Sequence, residues 1–239
     1  FILNSLYSSD MQYFLQQLLD WSDTNDMAVN FGKTKEMVIG PPSLTSNISL
    51  LSTPLGHIER VSCVKLLGIY LDADFSWNSH VEAVLAKATQ RLYFLKQLKR
   101  AGVPHDQLRH FYISVIRSVL EYAAPVWHHL LTKAQTDQLE AIQKRAIRII
   151  YSCTNGMPYF NALFIADLTT LAKRRELLSH RLFKSVLEPS SCLHALLPPP
   201  RDSATVTRLR NCAKYPRMPT RTKKFQPFLS YALANYQTK

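Results

Sequence analysis

Metal-dependent phosphoryl transfer needs two or more carboxylates that converge on divalent ions, and few acids here are spaced for it. Asp72 and Asp74 are the closest acids in a strand-end setting, and no Asp-Asp pair occurs. Their position after an apolar run reads as a solvated turn. Gly32-Lys33-Thr34 has the ending of a phosphate-binding loop, but that motif needs an earlier glycine five residues before Gly32. Gly32 is the first glycine in the sequence. None of the eight histidines stands in an HExxH or HxD arrangement, and His128 and His129 are adjacent, so on a helix they diverge rather than chelate. No GxSxG elbow presents a serine. Cys63, Cys153, Cys192 and Cys212 form no CxxC pair and read as reduced thiols of an intracellular protein, nuclear or cytoplasmic. No metal site, no cofactor site and no complete active site is expected in this chain.

The cations are more informative than the acids. Residues 1–79 carry four Lys/Arg and eight Asp/Glu, a net of −4, whereas residues 80–239 carry 25 and nine, a net of +16. A step of this size points the second part at a polyanion. No run of 18 apolar residues exists, so no membrane span or membrane partner is expected. The chain opens on Phe1 rather than Met, with no charged segment leading into an apolar stretch, and reads as a fragment without a signal peptide.

These cations must be positioned by helices. Ser9-Asp10-Met11-Gln12 reads as a capping box, followed by Met11, Phe14, Leu15, Leu18 and Trp21 at helical spacing up to Thr24-Asn25-Asp26. Short β-like runs follow at 27–29, 37–39, 48–51, 58–61 and 64–71, the last alternating Leu67, Ile69 and Leu71 with Gly68 and Tyr70. Ser79-His80-Val81-Glu82 reads as a second capping box. Beyond it Val81, Val84, Leu85, Ala88, Leu92 and Leu95 form one stripe, flanked by Lys87 and Arg91 on one side and by Lys96 and Arg100 on the other. Gly102 and Pro104 stop that helix. A helix over 106–124 carries Leu108, Phe111, Tyr112, Val115, Ile116, Val119 and Tyr122 around much of its circumference, as a central bundle helix would, and Pro125 ends or kinks it.

Thr132-Lys133-Ala134-Gln135 opens the next helix, with Leu139, Ile142, Ala146, Ile149 and Ile150 on one face and Lys133, Lys144, Arg145 and Arg148 opposite. A helix over 170–187 sets Leu171, Leu178, Leu182 and Val186 against Lys173, Arg174, Arg181 and Lys184. Arg175 falls on its apolar side, where a guanidinium needs a buried partner or a ligand. Pro198-Pro199-Pro200 precedes a basic tail whose first half is expected to be loosely ordered and whose last 15 residues are expected to dock as a strand or helix. The expected fold is α+β, mainly α: a small antiparallel sheet with one helix at the N-terminus, then a helical bundle. Its parts are 1–74, 75–131, 132–200 and 201–239.

Taken in order, several segments resemble LINE-type (jockey-like) non-LTR retrotransposon reverse transcriptases. Leu15, Leu18-Leu19, Trp21, Asn25, Met27, Val29-Asn30, Lys33-Thr34-Lys35 and Met37 are similar to the segment after the catalytic strand, the palm motif D. Lys65-Leu66-Leu67-Gly68-Ile69 resembles motif E, the primer-grip hairpin. Trp77, His80, Lys87-Ala88, Arg91-Leu92 and Leu95 resemble the thumb entry, and Tyr112, Ile116, Leu120-Glu121-Tyr122-Ala123 and Val126-Trp127 the next thumb helix. Leu139-Glu140, Ile142-Gln143-Lys144-Arg145-Ala146, Arg148-Ile149-Ile150, Leu171 and Arg174-Arg175 continue the pattern, and Phe225, Pro227-Phe228 resemble the family's C-terminal end. The resemblance spans nearly all 239 residues.

The resemblance implies that Lys33 or Lys35 is the motif D lysine, which would pass a proton to leaving pyrophosphate. It implies that Leu67, Gly68 and Ile69 help to position the primer end. Lys87, Arg91, Lys96, Arg100, Lys144, Arg145, Arg148, Arg174 and Arg175 would meet the phosphates of an RNA–DNA template–primer duplex. The Mg²⁺-binding aspartates belong to the complete parent enzyme and would fall just upstream of Phe1, so the missing N-terminal half of the polymerase is an expected partner and this chain alone is expected to be inactive. Residues 80–127 also resemble the short N-terminal segment of an AlkB-type tRNA-modifying protein, without an HxD…H iron triad or a GxGxG methyltransferase loop. A non-enzymatic helical interaction module is the further alternative.

Overall fold

Two-residue strands cannot carry a domain alone, and in the first third of the chain side chains do much of the binding. The computed structural model describes residues 6–40, 45, 47–202, 213–220, 222, 224 and 226–237. Within these the protein is α+β and mainly helical. The chain divides into two compact units, Phe1–Ser79 and His80–Lys239.

In the first unit, α1 (Leu6–Thr24) already includes Ser9, so the helix starts earlier than the capping-box pattern implied. It ends as the sequence suggested. Asp26 adopts a left-handed conformation (φ 53°), Met27 N–H donates to Ser22 C=O at 2.8 Å and Asp26 N–H to Asp23 C=O at 3.3 Å, the two bonds that close a helix C-terminus. The buried face is Leu15 and Leu19, packed with Ile58 and flanked by Val29, Phe31 and Leu51. Met11, Phe14, Leu18 and Trp21, expected to pack, are exposed. A partial rotation about the axis separates the two readings, because apolar residues at i, i+3 and i+4 occupy both sides of this helix.

The strands pair in three separate ladders rather than one sheet. β1 (Lys35–Glu36) runs parallel to β4 (Glu59–Arg60), β2 (Ser52–Thr53) antiparallel to β3 (Gly56–His57), and β5 (Cys63–Leu66) antiparallel to β6 (Ile69–Asp72). The expected strands at 27–29, 37–39 and 48–51 do not form. Arg60 supplies what the ladders lack. It meets both Glu36 carboxylate oxygens (3.1 and 2.9 Å) and donates to the carbonyls of Ile48 and Ser49, each at 2.7 Å. The run at 64–71 is two strands. Leu66 pairs with Ile69, and Leu67 and Gly68 between them both have positive φ, 48° and 86°. That is the backbone of a tight two-residue hairpin turn whose twist matches its strands. Asp72, at the end of β6, is buried rather than solvated. Its Oδ2 accepts from Ser76 Oγ and from the backbone N–H of Ser79, both at 3.2 Å. Ser79 therefore lies inside α2 (Asn78–Arg100) and is capped rather than capping.

The second unit is a helical bundle. α2 buries Val81, Val84, Ala88, Leu92 and Leu95, with Leu85 only half-buried. The expected helix over 106–124 is α3 (His105–Phe111), a π-helical stretch (Tyr112–Arg117) and α4 (Ser118–Glu121). It stops before Pro125. Ala123 turns left-handed (φ 48°), and Pro125 sits in the first turn of the short α5 (Ala124–Trp127), where its missing N–H is harmless. α6 (Lys133–Ile150) opens on a complete capping box. Thr132 Oγ1 accepts from Gln135 N–H (3.2 Å), and Gln135 Oε1 accepts from Thr132 N–H (2.9 Å). Its core side includes Ile147, where Ile149 was expected; Ile149 is half-buried.

A short helix the periodicity did not show, α7 (Tyr159–Ile165), packs Ala162 and Leu163 onto Ile147. α8 (Leu171–Leu187) is capped by Thr170 and buries Leu171, Arg175, Ser179, Phe183 and Val186, while Leu178 and Leu182 are only half-buried. α9 (Phe228–Asn235) docks Ala232, Leu233 and the following Tyr236 against Phe183 and Tyr215, so the end of the tail packs as a helix. Phe225 and most of the first half of the tail lie outside the described residues.

Leu67 holds a left-handed conformation that costs a β-carbon-bearing residue about 1–2 kcal/mol, and it is 84% exposed. Leu67→Asn, which favours this turn ahead of Gly68, is expected to raise stability by about 1 kcal/mol, read as a higher urea midpoint at unchanged slope.

Candidate nucleic-acid interface

A lysine or arginine on a helix can grip a polyanion only if the fold does not spend its charge elsewhere, and the second unit spends many. The C-terminal ends of helices carry unpaired carbonyls and partial negative charge. Lys99 donates to Ile150 C=O at the end of α6 (3.1 Å), and Arg109 donates to Ala166 and Asp167 C=O at the end of α7 (both 2.9 Å). Arg91 is used in the same way. Its Nη1 donates to the carbonyl of Val115, inside the π-helical stretch, where Ser118 Oγ also approaches at 3.3 Å. The wider i→i+5 turn breaks the regular α-helical ladder, and Arg91 answers it from α2. Arg91 is half-buried and is not part of an outward track.

Arg174 and Arg175 are also turned inward. Arg174 makes a two-pronged contact with Glu121 through Nε (2.5 Å) and Nη2 (2.9 Å), with Arg117 3.7 Å from the same carboxylate. The Glu121 hydrogen bonds hold the Arg174 pKa above its ordinary value. Arg175 is fully buried. Its guanidinium lies 5.7 Å from the Trp127 ring centroid, and Nε donates to His128 Nδ1 at 3.5 Å. Nη1 and Nη2 have no hydrogen-bond partner among the described residues. Burial lowers its pKa, with Glu140, Glu121 and Tyr159 opposing. The sequence requirement for a buried partner at Arg175 is thus met at Nε alone, by an imidazole, beside an aromatic face; Arg175 is shielded from solvent and Arg174 is committed to Glu121.

His128 lies between Arg175 and Glu176. With Nδ1 accepting from Arg175, its proton sits on Nε2 and is donated to Glu176 Oε2 at 2.9 Å. Burial lowers the His128 pKa, opposed by the Glu176 hydrogen bond and reinforced by Arg175.

Lys87, Lys96, Arg100, Arg145 and Arg148 remain exposed, and Lys144 is half-buried. On α2, Lys87 and Lys96 are nine residues apart and so stand about 180° from each other around the axis. They bound the two edges of the solvent face rather than lining one groove with Arg91. Arg145 and Arg148 are neighbours on successive turns of α6. α8 adds Lys173, Arg181 and Lys184, exposed on one side. The sequence grouped these three by face but did not place them in the binding set. The middle of the α2 solvent face holds Tyr93 and Phe94, which sequence reading passed over; they are 60% and 51% exposed. Their signal was the interruption of a polar face by two aromatic residues.

The motif-like residues of the first unit lie in a turn, a ladder and a hairpin. Lys33 is exposed in the turn after Phe31, its backbone N–H bonded to Asn30 Oδ1 at 3.1 Å. Lys35 Nζ pairs with Glu59 at 2.5 Å. Leu67 and Gly68 form the hairpin turn and Ile69 begins β6. No group of three or more His, Cys, Asp or Glu that could hold a metal occurs among the described residues. No helix among the described residues is long and apolar enough to cross a membrane.

One family model and one known protein show similarity to parts of the chain. Residues 77–118, from the residue before α2 to the first residue of α4, match the family model described as alkylated DNA repair protein alkB homolog 8, N-terminal. The chain is also similar to a probable RNA-directed DNA polymerase from transposon BS of Drosophila melanogaster, 25% identical over 169 residues. That alignment covers 65% of this chain and 18% of the polymerase, so the chain spans less than a fifth of that relative's length. The relation to transposon-borne RNA-directed DNA polymerases is a distant one. No solved structure matches the chain.

Two outcomes separate fold-holding charges from outward ones. Glu121→Ala, which strands Arg174 and Arg117, is expected to cost about 3 kcal/mol, whereas Arg145→Gln with Arg148→Gln is expected to change stability by less than about 1 kcal/mol, both read by urea denaturation. Because the His128 pKa is lowered in the fold, the unfolded chain binds the proton more readily. Its contribution is whole above about pH 6.5 and is lost as pH falls below that. A plot of Tm against pH should therefore fall on the acid side, less steeply in His128→Gln.

Proposed function

We propose that this chain is the template–primer-binding part of a retrotransposon RNA-directed DNA polymerase, comprising the region after the catalytic carboxylates and the thumb helices. It binds RNA and DNA and does not extend a primer by itself. The observation that carries this reading is the charge division. The helical unit from His80 onward holds the net of +16 and the preceding unit the net of −4. The similarity to the transposon BS polymerase supports the same assignment.

Exposed Lys87, Lys96, Arg100, Arg145 and Arg148, with Lys144 at the edge, contact phosphates; Lys173, Arg181 and Lys184 join them. Arg91, Arg174 and Arg175 support the scaffold on which these stand. In the whole polymerase, the Leu67-Gly68 turn meets the primer end and Lys33 is the better placed of the two motif lysines, since Lys35 is paired with Glu59.

A second reading, a helical protein-interaction module, has its own support in Phe160 and Phe164, 81% and 86% exposed and four residues apart on α7. The residues of the AlkB-type match offer no iron-ligand set among those described.

Binding of the full chain to a labelled RNA–DNA duplex is expected to weaken steeply with salt, and each phosphate contact contributes about 0.9 to the slope of log affinity against log salt. Arg145→Gln with Arg148→Gln should flatten that slope by about two. Salt-insensitive binding, or none, would favour the interaction module instead.

A further inference from the structure

The solvent face of α2 combines features that binding to a duplex backbone does not need. From Ala83 to Arg100 the helix holds five cations and no acid. Within that face Tyr93 and Phe94 lie outside the core, with ring centroids 5.8 Å apart and planes at 73°, an edge-on arrangement. Helical spacing puts Lys96 and Arg100 at i+3 and i+7 from Tyr93, on the same side of the helix. The residues at i−4 and i−7 are Thr89 and Ala86, both exposed and both small. The tyrosine ring is thus approached over small side chains from one direction and flanked by positive charge in the other.

We propose that Tyr93 is a base-stacking residue and that this face takes an unpaired nucleotide of single-stranded RNA or DNA, with Lys96 and Arg100 on the adjoining phosphates. The inference deepens the reading of the helical unit as a nucleic-acid binder and rests on it. The chemistry selects this ligand class. Phosphates alone recruit cations and have no use for an exposed ring. Duplex bases present their edges in the grooves and keep their π-faces stacked away, whereas unpaired bases expose a π-face that stacks on an aromatic side chain whatever the sequence. Phe94 packs against Tyr93 at a steep angle, and the tyrosine still keeps 60% of its surface exposed to a stacking base. An acidic protein partner would be met by the same cations, but without the stacking contribution.

The test measures fluorescence anisotropy of the full chain with a labelled single-stranded oligonucleotide and with a blunt duplex of the same sequence, across a salt series. Tyr93→Leu keeps an apolar side chain and removes the ring. It is expected to weaken single-strand binding about tenfold, change duplex binding less than about twofold, and leave the salt slope as it was. Tyr93→Phe should retain the single-strand affinity. Lys96→Gln with Arg100→Gln should weaken both ligands and flatten both slopes.

An unchanged single-strand affinity in Tyr93→Leu, an equal loss on both ligands, or a loss in Tyr93→Phe as large as in Tyr93→Leu would overturn the stacking assignment while leaving salt-dependent binding intact. If the unaltered chain binds neither ligand in a salt-dependent way, the nucleic-acid reading itself falls. The side chain is exposed, so unchanged far-ultraviolet circular dichroism is expected for both Tyr93 variants.

Discussion

The helical unit depends on one buried amide. Gln143, in the middle of α6, is fully shielded from solvent. Its Oε1 accepts from Tyr112 OH at 2.5 Å, and its Nε2 donates to Tyr159 OH at 2.8 Å and to Thr169 C=O at 2.9 Å. Tyr159 passes the chain on to Glu140 Oε2 at 2.6 Å, and the other Glu140 oxygen accepts from Ala172 N–H at 2.7 Å, in the first turn of α8. One connected set of hydrogen bonds therefore joins the π-helical stretch, α6, α7 and the start of α8. Burial raises the pKa of both tyrosines, and for Tyr159 the Glu140 carboxylate raises it further, so both remain neutral donors. A network of this kind fixes the relative rotation of its helices, because each donor has one acceptor within reach and a buried unpaired group would cost about 1–3 kcal/mol.

The cations of the unit divide between inward and outward positions. Arg91, Lys99, Arg109, Arg174 and Arg175 are turned to carbonyls, a carboxylate, or an aromatic ring and imidazole inside the unit. Lys87, Lys96, Arg100, Arg145 and Arg148 face solvent. The two groups cannot be told apart by residue type. A carbonyl at a helix end and a phosphate oxygen attract the same side chain, and the nearer one wins. Net charge thus overstates the outward-facing charge of the unit, although exposed cations remain on α2, α6 and α8 and, in the tail, at Arg201, Lys214, Arg217 and Lys224.

The sequence was legible where the determinants were local. The Thr132–Gln135 box, the end of α1 at Asp26, the stop at Gly102-Pro104 and the mismatch of Arg175 with its apolar surroundings each depend on residues within a turn or two, and the structure agrees at each. Legibility failed where the partner is distant. Glu121 takes Arg174 across 53 positions, and Val115 takes Arg91 across 24. It failed differently in the first unit, where the tight turn uses a leucine at a left-handed position, so the residue gives no turn signal and the run reads as one strand. α7 escaped because its apolar residues point both inward and outward, which removes the period that marks an amphipathic helix.

The π-helical stretch bears on how tolerant this chain is of changes in length. Leu108, Tyr112, Ile116, Leu120 and Ala124 recur every fourth residue and are all fully buried. In an unbroken α-helix four residues overshoot one turn by about 40°, so five such positions would wind steadily away from the core. Underwinding across Tyr112–Arg117 corrects the phase part way along and keeps Leu120 buried, as Leu108 is. Loss of a single residue there would let the segment relax into ordinary helix and swing Glu121 out of line with Arg174. The rod would become more regular while losing the clasp that locates α8.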